Sequence, residues 1–136
     1  MTYLSQKGNS IISHIPPENS AVQYDSIYTV IKLIKHFGRH CLMGKCDIED
    51  AFRLVILQII MLGFTWNKLY YYDRCLPMGA SSSCQIFESF SSSLQWIMEN
   101  KYGAAGMSRI IYDFLFVGPP NSDKCLVDLR CFSSLC

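Results

Sequence analysis

The sequence predicts an α+β fold in which an antiparallel sheet is packed with helices on one face. Three observations predict it. Short apolar runs are joined by hairpin-like turns, separate segments repeat their apolar residues at helical spacing, and the order is helix, strand, strands, helix, strand pair, helix. A doubly wound parallel sheet would need a glycine-rich first turn, and neither GxGxxG nor a P-loop occurs.

The elements follow in order. Residues 1–20 carry Gly8, Asn9, Pro16, Pro17 and Asn19 without apolar periodicity, so residues 1–23 form an extended opening segment and 24–136 the main domain. Asp25 or Ser26 caps a first helix whose Ile27, Val30, Ile31 and Ile34 share one face expected to pack in the core, and which stops at Gly38. Residues 41–47 form an apolar strand ending on an acid, followed by a brief turn over 48–52. The run 54–64 reads as a buried strand or two, with a turn at Asn67–Lys68 before a short strand at Leu69–Tyr72. Leu76-Pro77-Met78-Gly79 is a loop, and Ser81 to Ser83 cap a long helix expected to bury Phe87, Phe90, Leu94, Ile97 and Met98 and to end near Asn100. Residues 107–117 read as strand, turn and strand, stopped by Gly118-Pro119-Pro120. Asn121 or Ser122 then caps a last helix with Cys125, Leu126, Leu129 and Phe132 facing inward.

Composition narrows the function classes. With 136 residues, half of them hydrophobic and 17% charged, the chain can bury a core and is not a solvated, disordered segment. No apolar run reaches the roughly 18 residues that span a bilayer. Met1 is followed by polar residues rather than an apolar signal core, so an intracellular location, cytoplasm or nucleus, is expected rather than secretion. Seven scattered cysteines with no CxxC pair fit free thiols better than a disulfide framework or a zinc site. The net charge of +1 lacks the basic excess of a stand-alone nucleic-acid binder. One local cluster, Lys32, Lys35, His36, Arg39, His40 and Lys45, is either a solvated helix face or a phosphate-facing patch.

Chemistry is carried by three phrases. In the first, Asp47 ends a strand and leads into Ile48-Glu49-Asp50-Ala51-Phe52; a carboxylate there can face a cleft and hold a divalent cation, or be an exposed loop acid. The second is Leu76-Pro77-Met78-Gly79 opening a helix. The third sets Tyr112-Asp113 inside an apolar hairpin.

In this order and spacing the phrases resemble the palm of reverse transcriptases, and the retrotransposon kind of DIRS-type elements in particular. Ile15 to Ser20 (IPPENS), Ala51 to Leu54 (AFRL), Leu62-Gly63-Phe64, Tyr70 to Asp73 (YYYD) and Phe114 to Pro120 (FLFVGPP) extend the likeness across residues 8–128. The resemblance implies a palm with partial fingers and no thumb. It also implies RNA-directed DNA synthesis by two-metal nucleotidyl transfer, with two Mg²⁺ ions, a deoxynucleoside triphosphate and an RNA or DNA template-primer. By the same resemblance, Asp47 and Asp113 are metal ligands, and the backbone carbonyl of Ile48 serves the triphosphate-side ion. Phe52 excludes a 2′-hydroxyl by shape, and Pro77, Met78 and Gly79 lie near the incoming nucleotide.

The sequence also departs from that pattern. The family hairpin carries two adjacent acids, and an ungapped match sets Tyr112 on the first, with Asp113 on the second. Alternatively, Tyr112 matches the tyrosine ahead of the acids and residues are deleted; either way one carboxylate is gone. A neutral phenol is a poor ligand for a hard dication. The segment between Arg53 and Leu62 is short and, Gln58 apart, apolar, which threatens strand register. Most of the fingers, the thumb and RNase H are expected to be missing, so Tyr112→Asp alone should not restore activity. The sequence therefore reads as a truncated, degenerate and inactive palm. The alternative is a non-enzymatic module that binds nucleic acid or protein, or itself, through exposed palm surface.

Overall fold

The computed structural model describes residues 15–22, 24–56 and 63–136. It is α+β, with four helices, one three-stranded and one two-stranded antiparallel sheet among the described residues. The chain divides into two compact units, Met1–Val22 with Asp50–Glu88, and Gln23–Glu49 with Ser89–Cys136.

The second unit holds α1 (Ile27–Phe37), β1 (Leu42–Asp47), the C-terminal part of α3 (Ser81–Lys101), β4 (Met107–Ile110), β5 (Asp113–Gly118) and α4 (Lys124–Leu135). Its sheet has the order β1-β5-β4, antiparallel throughout, with Asp47 opposite Asp113 and Ile110 opposite the same Asp113. Strand side chains alternate between faces. Phe114 and Phe116 therefore point to one side, where both are buried and their rings lie 4.4 and 5.5 Å from that of Phe132 on α4. Arg109 pairs with Phe114 and shares that side; its Nε and Nη2 donate to Gln95 Oε1 (2.6 Å) and Ser92 Oγ (2.8 Å) of α3. Helices α3 and α4 thus meet the same face. Ser108 points the other way and donates to Asp25 Oδ2, ahead of α1, at 3.0 Å. A close crossing at Gly106 completes the unit: its carbonyl accepts from Val117 N at 2.6 Å, and a Cβ there would lie 1.9 Å from Val117 O, so only glycine fits.

The first unit contains a 3-10 turn at Pro17–Asn19, α2 (Ala51–Leu54), β2 (Gly63–Trp66), β3 (Leu69–Tyr72) and the start of α3. Ala51, Leu76, Ala80 and Phe87 are buried, and the Phe52 ring sits 5.5 Å from that of Phe87. The strands β2 and β3 form a hairpin in which every residue is exposed. Asn67 and Lys68 both take positive φ, 52° and 64°, the mirror-image turn that matches strand twist.

Several expectations need correction. None of the α1 residues, all of them described, is buried; Ile27 is 64% exposed, so its apolar stripe is not a core face, although the helix ends at Gly38 as its positive φ of 83° requires. Residues 48–52 are not only a turn, because α2 begins at Ala51 behind a left-handed Asp50. Leu54 closes α2 instead of opening a strand; Phe64 is in β2 but exposed, and residues 57–62 of that run lie outside the described residues. Phe90 and Leu126 are exposed where inward packing was expected, because each helix meets the sheet along a stripe narrower than its apolar arc. The N-cap of α4 is Asp123, with Ser122 Oγ accepting from Lys124 N at 3.1 Å.

Candidate functional site

The second unit brings together four of the residues singled out from sequence. Asp47 closes β1 and Asp113 opens β5, so the two carboxylates are direct cross-strand partners at the end of the sheet. Between β4 and β5 the turn consists of Ile111 and Tyr112. Ile111 has φ 57°, a conformation that β-branched residues rarely take. It is held there from outside: Ser91 Oγ, buried on α3, donates to the Ile111 carbonyl at 2.6 Å. The Tyr112 carbonyl accepts from Ile48 N at 3.1 Å, tying the residue after β1 to the hairpin tip. The Ile48 side chain is buried and that of Tyr112 is partly exposed.

Lys45 is the residue that sequence reasoning missed. It was grouped with the basic cluster running back to Lys32, but its place on β1 puts it on the same face as Asp47, two residues on. Its Nζ lies 2.8 Å from Asp113 Oδ1. The hydrogen bond and charge of Asp113 hold the Lys45 ammonium above its ordinary pKa; desolvation opposes this, and Asp47 and Tyr112 add to it. Strand alternation around an acid-ended strand places Lys45 on the face of Asp47; its bond to Asp113 follows only from the β1–β5 register.

The remaining predicted residues lie in the first unit. Phe52 sits on α2 against Phe87. The Pro77 carbonyl accepts from Ser83 Oγ at 2.8 Å, which fastens the Leu76–Gly79 loop to the start of α3. Met78 is exposed, and Gly79 has φ 89°, so the loop requires glycine at that position.

Chemically, the paired carboxylates and the Ile48 carbonyl are oxygen donors of the kind hard cations take. They are few. Among the described residues no group of three or more His, Cys, Asp or Glu is placed to share an ion, and Asp113 already faces an ammonium. Among the described residues no helix is long and apolar enough to cross a membrane. Comparison with protein-family models, with curated proteins and with solved structures finds no match.

Proposed function

We propose that this chain is a palm fragment derived from a retrotransposon reverse transcriptase, of the DIRS-type, that no longer synthesises DNA. The observation that carries the reading is the cross-strand pair Asp47–Asp113 beside a tight hairpin whose turn bears Tyr112. The order of sequence phrases supplies the ancestry, and an acid-ended strand paired with an acid-bearing hairpin in an antiparallel sheet is consistent with it. In the ancestor, Asp47, Asp113 and the Ile48 carbonyl held Mg²⁺, while Phe52, Pro77, Met78 and Gly79 lined the deoxynucleotide site beside an RNA or DNA template-primer. With a phenol in place of one carboxylate, the ion pair that activates the primer 3′-hydroxyl and neutralises the leaving pyrophosphate is not assembled.

Primer extension on RNA and DNA templates, with Mg²⁺ or Mn²⁺, tests the reading. No templated incorporation is expected. Incorporation that disappears in Asp47→Asn would show an active polymerase and sink it.

A second reading is favoured by the β2–β3 hairpin. Trp66, Leu69, Tyr70 and Tyr72 are all exposed there, a concentration of apolar and aromatic surface suited to association. On this reading the fragment is a non-enzymatic binding module. Binding of RNA or DNA that weakens steeply with salt supports a nucleic-acid partner, whereas salt-insensitive association points to protein.

A further inference from the structure

Asp47 and Asp113 face one another across β1 and β5. Like charges directly opposed in an antiparallel pair repel, so the arrangement calls for a positive charge nearby. In a metalloenzyme a divalent cation supplies it. Here the strand itself does. Lys45 shares the face of Asp47, stands diagonal to Asp113, and brings Nζ to 2.8 Å from Asp113 Oδ1.

We infer that the Lys45 ammonium, bonded to Asp113 and on the same strand face as Asp47, is the internal counter-ion of this carboxylate pair and opposes the entry of a divalent cation there. The side chains of Lys45 and Asp113 are 64% and 40% exposed, so the bond between them is wet and contributes little to stability by itself. Its consequence is electrostatic exclusion. A dication entering the pair must displace the ammonium or sit within a few ångströms of it, and even in water that repulsion lowers affinity by about tenfold. The Lys45–Asp113 ion pair does not depend on the ancestry of the chain, and a failed primer extension leaves its effect on cation binding open to the test below.

Mn²⁺ titration followed by electron paramagnetic resonance tests it, using the whole chain and circular dichroism to verify folding. Lys45→Met is expected to bind Mn²⁺ about tenfold more tightly than the unmodified protein. Lys45→Arg, which keeps the charge, should behave as the unmodified protein does. The double variant Lys45→Met with Asp113→Asn should lose the gain. Lys45→Gln serves in place of Lys45→Met if that variant does not fold. Equal Mn²⁺ affinity with and without the Lys45 charge overturns the inference, as does a gain that survives Asp113→Asn.

Discussion

At the scale of single residues, the second unit rests on Phe132. It is fully buried and its ring meets both Phe114 and Phe116, so truncation removes a three-ring cluster's centre. Phe132→Ala should cost about 3–5 kcal/mol in urea unfolding, since a close-packed sheet and helix collapse only partly into the void. Phe132 was legible from helical spacing, as were Cys125, Leu94 and Met98. Lys45 was not, although its residue type is conspicuous. A lysine reads the same on a helix or a strand, and only the β1–β5 register sets it diagonal to Asp113. Burial pushes the Cys125 thiol up, with Asp128 adding to the effect, which makes it a packing residue and a poor nucleophile near neutral pH.

Among the elements, the two hairpins show how far local signals reach. Asn67-Lys68 between two strand runs reads as a hairpin turn, and the structure has a positive-φ pair there. Lys68 takes that conformation against its preference. Lys68→Gly should therefore stabilise the β2–β3 hairpin by about 0.5–1 kcal/mol, measured by denaturant midpoint at unchanged slope. The β4–β5 turn behaves differently. Ile111 has no intrinsic reason to be left-handed, and its conformation is held by the Ser91 hydroxyl from α3, a contact distant in sequence. Ser91→Ala should consequently cost about 1–2 kcal/mol, more than an ordinary helix serine, by leaving a carbonyl unsatisfied beside a strained turn. Helix α1 marks the reverse failure. Its apolar period predicted the helix and its Gly38 stop, yet predicted burial that the described fold does not provide. Periodicity reports which side chains share a face; it does not report whether another element covers that face.

Across the molecule, many large apolar side chains among the described residues are exposed. Beyond the β2–β3 hairpin, Ile27, Tyr28, Ile56, Met78 and Trp96 are strongly exposed, against a net charge of only +1 to oppose association. Sedimentation velocity should show concentration-dependent self-association, and Trp66→Thr with Leu69→Thr should reduce it. A monomer at all concentrations would rule out the hairpin as a contact surface. The sequence by itself determined the α+β class, the stop at Gly38, the turn at Asn67–Lys68 and the presence of an acid-ended strand and an acid-bearing hairpin, because apolar spacing, glycine and turn chemistry act within a few residues. Tertiary structure alone decided which apolar faces are covered, what holds Ile111 in place, which strand meets the acid-bearing hairpin, and that the Lys45 ammonium bonds Asp113. Those outcomes depend on strand register and on contacts between distant segments, which no local pattern encodes.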